Sequence, residues 1–461
     1  MRGLAWITLG ALGCGSVSSK QPDAAPGGDG AANVAPGTVR WVRSLSSMEA
    51  LGIADGPGGL VVTGSVNTPA NLGGQALIPT GGFDMVVAGF DSETADHLYS
   101  VRHGDAGNEF GFMHNVDAQG APMIYGVSYG TADFGKGPVA GGSGTDTTKA
   151  DGFIGHFGPG APAWVARLVG TGEDKILASA LGANSTIYGA GWFEGTTSFT
   201  TTNTNSTLTS AGGRDIFLAR FNSFTGAVDL TKTYGGTGRD EISSAAAAGN
   251  DLVVAGMFDD TLAFGGTAQP ITSTGLLDVW VAKLDANGNG KWAVRYGGTG
   301  DDRDPRIAVD AAGDVYVAGS FTNQVAFGAI NLVAMGDTDV FVAKLHGNDG
   351  SVAWAVSAGT ATTDRVNDLA VDGAGHVAFT GSVAGSATAT GDAVIESFDG
   401  SNGSSRWKKT FATPGSDGGG AVTYGRNGDL YALVGIGGPF DFGMPVIGAA
   451  SPAAVMLRIA P

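Results

Sequence analysis

The chain has 461 residues, of which 80 are glycine and only 15% are charged. A formal net charge of −18 and an isoelectric point near 4.5 exclude nucleic-acid binding of the phosphate-tracking kind, which needs a basic stripe. The single cysteine, Cys14, excludes an internal disulfide and a cysteine metal cluster.

In chain order, Met1 and Arg2 supply a positive start, and residues 3–13 (GLAWITLGALG) form an apolar run too short to span a bilayer. Residues 1–13 therefore read as a secretory signal. Ala11-Leu12-Gly13-Cys14 resembles the lipobox of bacterial lipoproteins, with Ala11 where that pattern prefers Leu. The resemblance implies that cleavage leaves Cys14 first and lipid-bearing. Residues 15–38 are rich in Ala, Gly, Pro and Ser and have no apolar period. Residues 14–38 are thus expected to be the lipidated cysteine and a flexible tether, with a root-mean-square span of roughly 25–30 Å.

From residue 39 one pattern recurs seven times, which means an array or a ring. An aromatic opens one strand: Trp41, Tyr99, Trp164, Trp292, Trp354 and Trp407, with Leu230 in that place once. These positions are 58, 65, 66, 62, 62 and 53 residues apart. An Asp leads a second, apolar strand type at Asp84, Asp151, Asp215, Asp278, Asp339 and Asp392, with Ala453 as the seventh. Each repeat holds four strand-like runs, separated by turns that begin with Asp and end near Gly, such as residues 310–313 and 285–288. Four antiparallel strands repeated radially predict an all-β, seven-bladed β-propeller over residues 39–461. The first run, residues 39–44 (VRWVRS), reads as an outer strand, and the last, residues 453–459 (AAVMLRI), as a third strand with nothing after it. Their pairing would close the ring and remove its open edge.

The motifs YGGTG (residues 234–238 and 296–300), DAAG, VYVAGSF and DVFVAKL resemble the bacterial SBBP-type propeller repeats. That resemblance implies a propeller in a secreted or lipid-anchored setting and no shared activity. Residues 398–407, ending at Trp407, are similar to the docking motif of quinoprotein propellers, which implies a tryptophan packed between blades. Quinone chemistry in that family calls for a calcium-bound cofactor and often adjacent cysteines, and no second cysteine exists here.

Catalytic patterns are missing from the sequence. His97, His103, His114, His156, His346 and His376 are scattered and no pair has metal-ligand spacing. No Gly-x-Ser-x-Gly elbow occurs. Asp285, Asn287 and Asn289 match the first half of a calcium loop, but Tyr296 stands where the closing Glu is expected. The other reading is a plain hairpin turn. Calcium is the one cofactor the sequence allows, and otherwise none is expected.

Acids concentrate in the loops joining an outer strand to the next inner strand: Glu49, Asp105, Glu109, Glu173, Asp174, Asp240, Glu241, Asp301, Asp302, Asp304, Asp364 and Asp417. Strand alternation puts these loops on one face with the long loops, and the short turns on the other. That face is the candidate site for a cation, a glycan or a protein partner. The alternative is that the acids serve solubility and strand-end hydrogen bonding, with Lys175, Arg239, Arg303 and Arg365 nearby. The expectation is a non-catalytic, lipid-anchored scaffold of the cell envelope, at the outer membrane, touching membrane only through its lipid. The alternative is a polymer-degrading or redox propeller enzyme with a site in the central channel.

Overall fold

The computed structural model describes residues 34–137, 148–183, 186–200, 207–383, 391–448 and 453–461. The signal segment, Cys14 and the tether to residue 33 lie outside the described residues. No helix of the described residues is long and apolar enough to cross a membrane.

The described residues form seven four-stranded antiparallel units. The innermost strands are Glu49–Gly56, Asn108–Val116, Asp174–Gly182, Asp240–Ala248, Asp302–Val309, Asp364–Val371 and Gly418–Tyr424. Each is the first strand of a blade, and blades 1 to 7 follow chain order. Neighbouring innermost strands pack together around the cycle, with blade 7 against blade 1. Blade 7 takes its outer strand from the other end of the chain. Val39–Ser44 pairs antiparallel with Ala454–Ile459, with Trp41 opposite Arg458 and Arg43 opposite Met456. Arg43 then reaches into blade 1, donating to Ala95 O at 2.7 Å and Leu72 O at 2.6 Å. The two terminal runs expected to pair are thus adjacent antiparallel strands.

Burial follows position in the blade. Val315–Phe321 and Asp84–Phe90 are buried along their whole length, because another blade covers each face. This accounts for their unbroken Val and aromatic content, where a half-exposed strand would alternate. The outer strand Val228–Tyr234 is buried only at its ends. Two blades depart from four strands. The second strand of blade 3, Thr186–Phe199, runs on so that Thr197 pairs with Gly170 of blade 2, joining the two sheets. In blade 7, Val446–Ile447 adds a parallel pairing outside Val39–Ser44.

Each innermost strand carries a bulge, in most blades soon after its start, as between Ala50 and Gly52, Ile242 and Ser244, or Val366 and Asp368, and in Asn108–Val116 further on, between Met113 and Asn115. A bulge frees backbone groups from the ladder. Here they bind the preceding blade: Pro305 O accepts from Ser243 Oγ at 2.9 Å, and Asn367 O accepts from Arg306 Nε at 2.7 Å.

Five outer strands carry an indole at the short-turn end, where it packs at a seam between blades, and Tyr99 and Leu230 hold that place in blades 1 and 3. Trp164 of blade 2 donates its Nε1–H to Ser223 O of blade 3 at 2.7 Å, and Trp354 of blade 5 to Gly400 O of blade 6 at 3.0 Å. The ring lies on a turn glycine with positive φ, Gly226 at 69° and Gly403 at 74°. A Cβ on Gly403 would sit 2.7 Å from the Trp354 ring, so glycine is needed for both backbone and contact. Gly37, just before the first strand, meets Trp407 in the same way. The tryptophan packing implied by the docking motif is thus present.

Candidate binding face

Strand register separates the two faces. Asp302 is opposite Phe321, which is opposite Asp339, so the loops on either side of Asp302 share one end of the blade. In blade 7, Gly418, Gly435, Ala454 and Ser44 mark that loop end, and Leu430, Ile459 and Val39 mark the turn end. Val39 and Asp301 therefore lie on opposite faces.

The structure divides the expected acids of the loop face. Glu109, Asp174, Asp240, Glu241, Asp302, Asp364 and Asp417 are buried. Asp105, Glu173, Asp301 and Asp304 are partly exposed. The buried ones mostly begin an innermost strand and fold back on their own loop. Gly236 N donates to Asp240 Oδ2 at 2.9 Å, Gly298 N to Asp302 Oδ2 at 2.9 Å, and Thr413 N to Asp417 Oδ2 at 2.6 Å. Asp364 accepts from Thr360 N in the same way. The Asp that leads each third strand repeats the bond: Ala211 N to Asp215 Oδ2 at 2.7 Å, and Thr274 N to Asp278 Oδ2 at 2.8 Å.

These two sets of acids face each other across the seams, as Asp278 with Asp302 and Asp215 with Asp240. Burial first, and the facing carboxylate after it, pushes Asp302 and Asp240 each up to about 7. Burial with Asp105 and Asp84 pushes Glu109 up to about 8. Asp174 rises to about 7, again by burial first. Glu241 goes the other way. Burial opposes its charge, but Arg239 and Arg214, each donating at 2.6 Å, hold its carboxyl below the ordinary value.

What the loop face offers to solvent is different. A cleft of about 390 Å³ opens over blades 4 to 6, lined by Arg239, Arg303 and Arg365 with Asp301, Asp304, Met257, Ser320, Thr322 and Thr338. Arg303 is held by Asp301 at 2.7 Å and Arg239 by Glu241. Arg365 is exposed. Three arginines thus gather on an acidic face, two of them held by carboxylates. Sequence reading placed these arginines only as neutralisers of the acids. The available signal was their recurrence beside the strand-start Asp, in Arg239-Asp240, Asp302-Arg303 and Asp364-Arg365.

The calcium-loop candidates Asp285, Asn287 and Asn289 form a hairpin turn on the opposite face. Asp285 Oδ1 accepts from Asn287 N at 2.9 Å and Asn289 N at 2.8 Å, and its Oδ2 from Asn289 Nδ2 at 3.0 Å. Arg220 and Lys232 of blade 3 meet the two asparagine oxygens at 3.5 and 3.4 Å. Turn donors and two cations thus occupy the oxygens that a metal would need. His376 bonds Asp372 within its own turn at 2.8 Å, and buried His103 bonds Phe134 O at 3.1 Å. Among the described residues, no group of three or more His, Cys, Asp or Glu side chains is placed to hold a metal ion. Cys14 lies outside the described residues.

No protein-family model matches the chain, and no curated protein matches it. Solved structures that share its course do so at low similarity. An ulvan lyase of polysaccharide lyase family PL25 is 12% identical over 92% of this chain and 94% of its own, with a TM-score of 0.47. The quinohemoprotein alcohol dehydrogenase of Comamonas testosteroni is 10% identical over 91% and 76%, with a TM-score of 0.45. The Dos1 propeller is 10% identical over 92% and 94%, with a TM-score of 0.40.

Proposed function

We propose that this protein is a lipid-anchored, extracytoplasmic propeller of the SBBP repeat type, and that it is a binding scaffold and not an enzyme. In this reading the loop face carries the ligand. The tether joins at Val39 on the turn face, so lipid attached at Cys14 leaves the loop face turned outward. The observation that carries the reading is the cleft of about 390 Å³ lined by Arg239, Arg303 and Arg365. Guanidinium groups on a water-facing wall suit sulfate or carboxylate groups, which they grip through paired N–H donors. The ligand class is therefore an anionic polymer or the acidic patch of a partner, where the sequence alone suggested a cation, a glycan or a protein partner.

The test is equilibrium binding of dextran sulfate, with neutral dextran as control. The wild type should bind the sulfated polymer, and Arg303→Ala with Arg365→Ala should weaken binding at least tenfold. Equal binding by the double variant, or no binding by the wild type, removes the cleft as the site. The anchoring is tested separately. Cys14→Ala should leave the membrane fraction and lose acyl labelling.

A further inference from the structure

Five seams, from that of blades 1 and 2 to that of blades 5 and 6, repeat one device, a buried acid at the start of a third strand set against a buried acid at the start of the next innermost strand, and they neutralise it differently. Between blades 4 and 5, Arg295 Nη1 donates to Asp278 Oδ2 at 2.8 Å. Between blades 1 and 2, Arg102 Nη1 does the same to Asp84 at 2.6 Å. Between blades 5 and 6 no arginine is needed, because all four oxygens accept protein donors. Met335 N and Gly336 N serve Asp339, and Thr360 N and Oγ1 serve Asp364.

The seam between blades 3 and 4 has neither solution. Arg295 lies opposite Trp280, two residues after Asp278, and the equivalent position opposite Phe217, two residues after Asp215, is Thr233. No Lys or Arg of the described residues forms an ion pair with Asp215 or Asp240. Asp215 is 3% and Asp240 1% exposed, and the Oδ1 atom of each has no hydrogen-bond donor. Both carboxylates border Gly235, whose φ is 151°. A Cβ there would stand 2.7 Å from Asp215 Oδ1 and 3.0 Å from Asp240 Oδ2, so the glycine keeps open the space between them. Two buried carboxylates without a counter-charge are costly, and the cost falls when a cation joins them.

We propose that Asp215 and Asp240 hold a hard divalent cation in the seam between blades 3 and 4. The donors are oxygen only, which suits calcium, magnesium or manganese over zinc or copper. Main-chain carbonyls and water would complete the shell, as hard cations accept. The cation does at this seam what Arg295 does at the next one. This site goes beyond the binding reading above and does not depend on it.

The test grafts one seam onto the other. The full chain, stripped with EDTA, is melted with and without calcium, magnesium or manganese chloride. A cation at a hundred times its dissociation constant should raise the melting temperature by about 3 °C for a chain of this length. Thr233→Arg should melt higher than wild type in EDTA and lose the cation shift. Asp240→Asn should also lose it while keeping its circular dichroism. Equilibrium dialysis with manganese should find one ion per chain in the wild type and none in Thr233→Arg. No shift with any of the three cations, or a full shift persisting in either variant, overturns the proposal and leaves a shared proton between the two acids.

Discussion

At the turn face a seam closes on an indole lying over a glycine; at the loop face the same seam closes on two carboxylates. Trp292 on Gly350 and Asp278 facing Asp302 are the two ends of the seam between blades 4 and 5. The indole end is apolar, and its N–H bonds a turn carbonyl at Trp164, Trp292 and Trp354, whereas Trp41 Nε1 and Trp407 Nε1 lack such a partner and Tyr99 and Leu230 hold the place in blades 1 and 3. The carboxylate end depends on what stands beside it: an arginine, a threonine hydroxyl, or neither. The indole ends therefore supply apolar cohesion where they occur, and the carboxylate ends are where one seam can differ from another in charge, pH response and ligand.

The largest effect should come from removing an indole end outright. A chain beginning at residue 46 loses Trp41, 7% exposed and 5.9 Å from Tyr431 between ring centres, together with the Arg43 bonds into blade 1. Losing a buried Trp alone costs about 3–5 kcal/mol, and an unpaired edge on Ala454–Ile459 adds to it. Thermal melting should show a strongly lowered or non-cooperative transition. An unchanged melting temperature would mean that the strand from the N-terminus does not close the ring.

The carboxylate ends should show in the pH dependence. Burial raises Asp240, Asp302 and Asp174 to about 7 and Glu109 to about 8, while the same groups titrate near 4 in an unfolded chain. Between those values the folded ring binds more protons than the unfolded chain. Their contribution to stability is therefore full below about pH 4 and declines as pH rises through 7 to 8. In EDTA, urea midpoints should be higher at pH 5.5 than at pH 8. Saturating calcium should make that slope shallower by Asp240's share, because it binds the deprotonated pair. A midpoint that rises with pH in EDTA would show that these acids are charged and already compensated.

Arg295→Thr sharpens the comparison from the other side, since it gives the seam between blades 4 and 5 the residue found between blades 3 and 4. It leaves Asp278 without its 2.8 Å partner. With the arginine partly exposed, the cost should be about 1–3 kcal/mol, within the range of a lost charged hydrogen bond. Calorimetry would read it. A loss that calcium restores would make cation binding a general property of these seams.

Much of this was legible in the sequence, for identifiable reasons. Strand identity and the closing pair came through because blades bury strands in fixed order, so Val and aromatic runs recur at fixed places between Gly turns. Trp407 was legible as a docking residue because its turn motif is local. The extension of Thr186–Phe199 onto blade 2 was not, because its partner Gly170 is remote and no local pattern names it. The division of the acids was not legible either. Asp301 and Asp302 are neighbours of one residue type, yet the first lies in the loop and turns outward while the second begins the strand and turns into the seam.

That last pair supports the smallest prediction. Asp302 holds Gly298 N and lies buried in the seam, whereas the Asp301 side chain, 30% exposed, pairs with Arg303, 42% exposed, at 2.7 Å. Exposed ion pairs contribute about 0.2–1 kcal/mol, and salt weakens them further. Asp301→Asn keeps the main-chain bond from Asp301 N to Thr322 Oγ1 at 2.9 Å, so the loop need not move. The melting temperature should change by under a degree or so, as expected for under 1 kcal/mol in a long chain. The charge facing the cleft changes more, because Arg303 loses its competitor for an anionic ligand. Dextran sulfate should then bind several-fold tighter at low salt, with the gain shrinking at high salt. Asp302→Asn should do the reverse: it alters the seam, and so stability and its pH dependence, while leaving polymer affinity nearly unchanged. If both substitutions move the same quantity, the loop-face acids are one electrostatic set, and the distinction between seam and rim fails.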